Sequence, residues 1–248
     1  MEKEKIVGFD VCTCSKQELL DNIFEDYKNG IQNIIVSINP EIVINNYKNE
    51  EYRNKLNNQR YQIPDGTGIV FASRINKGNI KNRITGIDLM NDILEKSTDF
   101  NAKVFLYGAK SDIIKKAEEE IIKNNANIKI VGVCDGYISE NEALDIIKKA
   151  NPDILFVGCG SPKQENFIIN NKDILKDIKI MMPVGGSFDV ISKSLKRAPN
   201  WMIKLNIEWL YRLIQQPSRI FRQCKLIKYV YIVLINRVKG ERRKKCQK

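Results

Sequence analysis

The chain has no histidine among its 248 residues, and that absence removes more chemistry than any other feature of the composition. Ser-His-Asp and Cys-His nucleophilic systems, histidine general bases and most catalytic zinc sites all need an imidazole. Carboxylates, lysine and tyrosine are left for proton transfer. The six cysteines (Cys12, Cys14, Cys134, Cys159, Cys224 and Cys246) form no C-x-x-C pair, so no zinc-ribbon or dithiol redox pattern is present. The charged N-terminus lacks a signal-peptide pattern, and free thiols in a reducing cytosol are expected. No apolar run reaches the roughly 18–20 residues that span a bilayer. The best of them, Tyr229–Ile235, suits an interface or a core.

Acidic residues are scarce in one region only. The net charge is +11, but Lys193–Lys248 holds 16 Lys+Arg against Glu208 and Glu241, a charge of +14, whereas residues 1–192 carry −3. A near-neutral body argues against a nucleic-acid groove across the fold, and no nucleic-acid partner is expected. Basic residues beside apolar ones suit an anionic membrane surface or bound phosphates.

Apolar β-rich runs occur at Asn33–Ile38, Lys103–Tyr107, Ile128–Val133, Asp153–Gly158 and Lys179–Val184. Amphipathic stretches lie between them. In Asp112–Lys123, Ile113, Ile114, Ala117 and Ile121 share a face, and Ser111 is placed to cap the helix. This alternation predicts an α/β fold, a mostly parallel sheet with helices on both faces. After Val190 the character changes. The pattern predicts a helix over Asn200–Gln215 with Leu205, Trp209 and Leu213 in register, a stop at Pro217, and a basic-apolar helix to about Val238. A body over 1–194 and a basic helical appendage over 195–248 follow.

Three segments are candidates for chemistry. Pro64-Asp65-Gly66 follows a short run and precedes a helical pattern, which puts Asp65 at a sheet edge. There it is either a turn aspartate capping the next helix or, without histidine, the best general base the chain offers. Gly158-Cys159-Gly160-Ser161-Pro162-Lys163-Gln164-Glu165 reads as strand, glycine turn and helix start, either structural or a phosphate site. It lacks the third glycine of the dinucleotide fingerprint. Gly185-Gly186 repeats the logic after another apolar run. No Asp-x-Asp element is present to hold a divalent ion on a diphosphate, and no metal or other cofactor is expected. Cations must then neutralise a diphosphate leaving group. Arg212, Arg219 and Arg222 are the supply, unless they are solvated surface charges.

Together, Asn39-Pro40-Glu41, Pro64-Asp65-Gly66, Arg83-Ile84-Thr85-Gly86-x-Asp88, Gly160-x-Pro162-Lys163-Gln164-Glu165, Gly185-Gly186-x-Phe188-Asp189, Arg197-Ala198-Pro199 and Glu208-Trp209-x-Tyr211-Arg212-Leu213 resemble the WecG/TagA/CpsF glycosyltransferase family from about Ile6 to Arg222. The resemblance implies an inverting transferase with a Rossmann-like body and an appendage that closes over the site. It implies a UDP-sugar donor, N-acetylmannosamine or a related sugar, and an N-acetylglucosaminyl-diphospho-undecaprenol acceptor for cell-wall or surface-polysaccharide synthesis. Carried over, Asp65 is the base, Arg83, Arg212, Arg219 and Arg222 serve catalysis, and Ser37, Asn39, Thr85, Gly108, Gly160, Lys163, Gln164, Glu165, Gly185 and Gly186 bind substrate. Ser37 stands where the family often has threonine, and Ser161 replaces a usual alanine. A peripheral enzyme on the inner membrane face, compatible with weak homo-oligomers, is implied. The alternatives are a different donor sugar, a nicotinamide-dependent oxidoreductase, or a basic adaptor without catalysis.

Overall fold

A computed structural model describes residues 1–205, 207–215 and 225–237, with the side chains of Asn200, Lys204, Trp209 and Arg212 left aside. Six strands form one wholly parallel sheet: β3 (Asn33–Ile38), β4 (Tyr61–Pro64), β5 (Lys103–Gly108), β6 (Lys129–Cys134), β7 (Ile154–Gly158) and β8 (Ile180–Pro183). Their spatial order is β4-β3-β8-β7-β5-β6. Five of the six coincide with the apolar runs in the sequence. Along β7, Ile154 and Phe156 face one helical layer while Leu155 and Val157 face the other, the period of two that a doubly covered strand requires.

One layer comprises α1 (Lys16–Lys28), α5 (Gly86–Ser97), α6 (Ser111–Asn124) and α9 (Ser187–Ile191). The opposite layer holds α2 (Pro40–Asn46), α3 (Glu50–Asn57), α4 (Thr67–Ile75), α7 (Glu140–Ala150) and α8 (Lys163–Asn170). An antiparallel hairpin of β1 (Lys3–Ile6) and β2 (Phe9–Cys12) joins that second layer. Its two-residue turn has positive φ at both Val7 and Gly8, the geometry that matches strand twist.

The order of strands locates a crevice. From β5 the chain runs to β6 on one side, and from β7 to β8 on the other. The carboxyl ends of β5 and β7 therefore flank a topological switch point, where open α/β sheets take ligands.

Several local expectations are corrected. Ser111 is the first residue of α6 rather than its cap, which is Lys110 and makes no side-chain cap bond. Pro162 caps α8 instead of opening it. The single helix expected over Asn200–Gln215 is two, α10 (Asn200–Lys204) and α11 (Glu208–Gln215). The stop at Pro217 lies outside the described residues. The final helix, α12, is described over 225–237. The Tyr229–Ile235 run, suited to an interface or a core, is divided: Tyr229, Ile232 and Val233 are buried while Val230, Tyr231 and Leu234 are exposed, and Tyr229 and Val233 join the body's core. The Tyr229 hydroxyl donates to the Gly68 carbonyl at 3.0 Å, and Lys225 Nζ bonds Asn45 Oδ1 at 3.1 Å. Among the described residues no helix is long and apolar enough to cross a membrane.

Candidate active site

The site residues converge because parallel strands end together. Ile38 of β3 pairs with Pro64 of β4, so the next residues, Asn39 and Asp65, emerge side by side. The Asp65 N–H donates to the Ile38 carbonyl at 2.9 Å, fixing the turn. Asp65 does not cap α4: the cap is Gly66, with no side-chain cap bond, so the capping alternative falls. A Cβ on Gly86 would lie 3.5 Å from Ser37 Oγ and 3.8 Å from Asp65 Oδ2. Serine, carboxylate and the start of α5 thus border one small space, which glycine leaves open.

Asn39 caps α2 through Oδ1, which accepts the Ile42 N–H at 2.9 Å, leaving its amide N–H groups as what it can offer a ligand. Thr85 caps α5, and its hydroxyl is further engaged by Asp88 at 2.5 Å. Asp88 also binds Arg197 at 2.5 Å. Burial pulls the Asp88 carboxyl upward, but the Thr85 hydroxyl and the Arg197 guanidinium outweigh it and hold the group below its usual range. Thr85 therefore shapes the start of α5. Arg83 is turned toward the appendage: one N–H group lies 3.5 Å from Glu208 Oε2 and 3.4 Å from the Ile203 carbonyl. Glu208 is itself buried.

At the switch point the material is backbone. Gly108 pairs with Gly158, and a Cβ on Gly108, at φ +130°, would stand 2.5 Å from the Gly158 carbonyl. Neither position admits a side chain. Gly160 (φ +77°) and Gly185 (φ +54°) hold left-handed turns with open space where a side chain would stand. Gln164 bridges them: its N–H donates to the Gly160 carbonyl at 3.0 Å and its Oε1 accepts the Gly185 N–H at 3.0 Å. Gln164 Nε2 donates to Glu165 Oε1 at 2.9 Å. Lys163 reaches sideways, its ammonium donating to the Gly136 carbonyl at 3.0 Å, which ties the loop after β6 to α8.

Arg212 lies on α11 with its side chain undescribed, and Arg219 and Arg222 lie outside the described residues. Among the described residues no three of His, Cys, Asp and Glu are grouped to hold a metal ion. A groove of about 690 Å³ between α5, α6 and α9, lined by Asn91, Glu95, Glu120, Lys193 and Arg197 among others, contains none of the candidate site residues. What sequence reading missed is the role of Gly86 as the space beside Asp65, and the Tyr52 hydroxyl buried near Glu165. The first is hinted by its place inside the Arg83–Asp88 segment. The second has no local signal.

The described residues thus place a carboxylate beside a small polar space at one end of the sheet's carboxyl edge and a glycine-lined crevice at the other. The glycosyl transferase WecG/TagA/CpsF family matches residues 4–243. The chain is 39% identical over 229 residues to the N-acetylglucosaminyldiphosphoundecaprenol N-acetyl-beta-D-mannosaminyltransferase of Bacillus subtilis strain 168, covering 92% of this chain and 87% of that one. Proteins of the same name from Bacillus spizizenii (35% over 216 residues, 87% and 83% covered) and Staphylococcus aureus strain MW2 (35% over 233 residues, 92% and 91%) are also similar. The chain belongs to the WecG/TagA/CpsF family and is a glycosyltransferase. The oxidoreductase and adaptor alternatives are not supported.

Proposed function

We propose that this enzyme moves an N-acetylmannosamine-type sugar from a UDP-sugar to N-acetylglucosaminyl-diphospho-undecaprenol, at the cytoplasmic face of the membrane, with inversion at the anomeric carbon. Asp65 takes the proton from the acceptor hydroxyl as its oxygen attacks. The bond from the anomeric carbon to the diphosphate breaks, and UDP leaves with the electron pair. The observation that carries the reading is the space shared by Asp65, Ser37 and Gly86 at the ends of β3 and β4. The names of the similar proteins support the sugar and the acceptor.

Strand spacing supports one orientation of the donor. Asp65 follows β4 and the glycine crevice lies at β7 and β5, with β3 and β8 between. Three spacings amount to about 14 Å, enough for a diphosphate and one sugar. The nucleotide end fits at Gly108 and Gly158, the diphosphate along Gly160 and Gly185, and the sugar near Asn39 and Asp65. Arginines stabilise the departing diphosphate: Arg83, already tied to Glu208, and Arg212, Arg219 and Arg222 of the appendage. On α12, the exposed Ile227, Val230, Tyr231 and Leu234 lie among Lys225, Lys228 and Arg237. This face supports peripheral contact with an anionic leaflet, where each basic residue contributes about 1 kcal/mol.

The test incubates the protein with a panel of nucleotide sugars and a short-chain diphospholipid acceptor and reads product masses. One added N-acetylhexosamine from the UDP-N-acetylmannosamine arm supports the proposal. No product in that arm, with transfer from another nucleotide sugar, overturns the donor.

A further inference from the structure

The first turn of α8 carries a buried carboxyl that the transfer step does not use. Glu165 is 3% exposed and its Oε2 has no hydrogen-bonding partner. The Tyr52 hydroxyl of α3, equally shut from solvent, has none either. Ser161 is near both, outside hydrogen-bonding geometry. A polar group so placed costs stability and calls for a compensating role. Its other oxygen has one: Glu165 Oε1 accepts from Gln164 Nε2.

That bond decides which way the Gln164 amide points. Gly185 offers Gln164 an N–H and therefore requires its oxygen, while Glu165 Oε1 requires its nitrogen. A flipped amide would oppose donor to donor at Gly185 and acceptor to acceptor at Glu165. The correct orientation links the turn after β8 to the turn after β7. Those turns are already in contact, since a Cβ on Gly158 would meet the Phe188 ring at 2.5 Å and the Gly185 carbonyl oxygen at 3.0 Å. A small slip of one turn is thus transmitted to the other.

We propose that Glu165 is a positioning residue that, by fixing the Gln164 amide, sets the spacing of the Gly158–Gly160 and Gly185–Gly186 turns for a nucleoside diphosphate. The proposal rests on the reading of these turns as the donor site. Burial pushes the Glu165 carboxyl above its usual range, with the Gln164 amide opposing only in part. Glutamine keeps the size of the side chain and an acceptor oxygen.

The experiment measures UDP binding by calorimetry, and KM for donor and acceptor separately, on the full chain. Glu165→Gln keeps an acceptor oxygen facing Gln164, and donor KM is expected within about threefold of the unaltered protein. Glu165→Ala is expected to raise donor KM and the UDP dissociation constant roughly tenfold, as loss of one buried hydrogen bond does, with acceptor KM unchanged. In a Gln164→Ala background the same substitution should add less than about twofold, because the contact through which it acts is gone. Equal effects in both backgrounds, an effect on acceptor KM alone, or no effect of Glu165→Ala overturns the proposal. If the alanine variant does not fold, Glu165→Met fills the volume without accepting the bond and carries the same expectations. Failure of the unaltered protein to bind UDP would instead overturn the donor reading, an outcome distinct from any difference between variants.

Discussion

The two ends of the sheet's carboxyl edge are made of different material. At β3 and β4 the site consists of side chains, Ser37, Asn39 and Asp65, around the space left by Gly86. At β5, β7 and β8 it consists of backbone, where Gly108 and Gly158 meet and Gly160 and Gly185 turn with positive φ. The division follows the work. Taking a proton requires one group of suitable basicity within hydrogen-bond reach, and only a side chain supplies it. Holding a diphosphate requires several N–H dipoles close to the phosphate, and side chains would stand in the way. Changes at the first end should therefore act on turnover, and changes at the second on donor affinity.

The sharpest way to break this comparison is Asp65→Asn. The amide keeps size and polarity but cannot accept the proton. Turnover is expected to fall at least about a hundredfold, the lower end of general-base contributions, with UDP affinity nearly unchanged. Turnover within a few-fold of the unaltered enzyme, measured under saturating donor, would remove Asp65 from the mechanism.

At the backbone end the corresponding change is Gly158→Ala. The new methyl would meet Phe188 at 2.5 Å, and overpacking of this kind costs about 1–3 kcal/mol. Thermal unfolding should show the loss, and donor KM should rise while the rate at saturating donor changes little. A variant that lost turnover and kept donor KM would contradict the division of labour.

The same division explains what the sequence revealed. Strands β3, β5, β6, β7 and β8 are apolar because both faces are covered, so composition marks them. The four-residue β4 contains Gln62 and Pro64, and β1, with Lys3, Glu4 and Lys5, is largely exposed. β1 therefore goes unread, and β4 shows only as the short run before Asp65. The Val7-Gly8 turn places a β-branched residue at positive φ, against local preference. Asp65 was legible because it follows a strand beside a turn. The burial of Glu165 was not, because it depends on Tyr52, more than a hundred residues away. The break between α10 and α11 was hidden because the apolar spacing continues across Leu205.

A smaller effect tests whether the appendage belongs to the side-chain end. Tyr229 of α12 donates to Gly68, two residues past Gly66, and a Cβ on Gly68 would lie 2.5 Å from Pro40 and 3.3 Å from the Tyr229 ring. The contact therefore presses on the segments that carry Asn39 and Asp65. Tyr229→Phe removes one hydrogen bond, and stability is expected to drop by about 0.5–1.5 kcal/mol in denaturant titration. Turnover should fall under saturating donor and acceptor. Turnover equal to that of the unaltered enzyme would separate α12 from the segments that carry Asn39 and Asp65.

The smallest expected effect is none: transfer should proceed equally in excess EDTA and in magnesium. A divalent ion on a donor diphosphate needs oxygen ligands from the protein, commonly two neighbouring carboxylates. The sequence has no Asp-x-Asp element, and among the described residues no three of His, Cys, Asp and Glu are grouped to hold a metal ion. The glycine turns can approach the diphosphate with N–H groups, which repel a cation instead of binding it. Neutralising the leaving group then falls to guanidinium groups, whose forked donors match phosphate oxygens, and the appendage is rich in them. The two ends divide the charge as they divide the material, with a negative carboxylate where the proton leaves and positive donors where UDP departs. Loss of activity on chelation, restored by Mg²⁺ or Mn²⁺, would mean that a metal supplies the positive end, and the arginines of the appendage would lose that role.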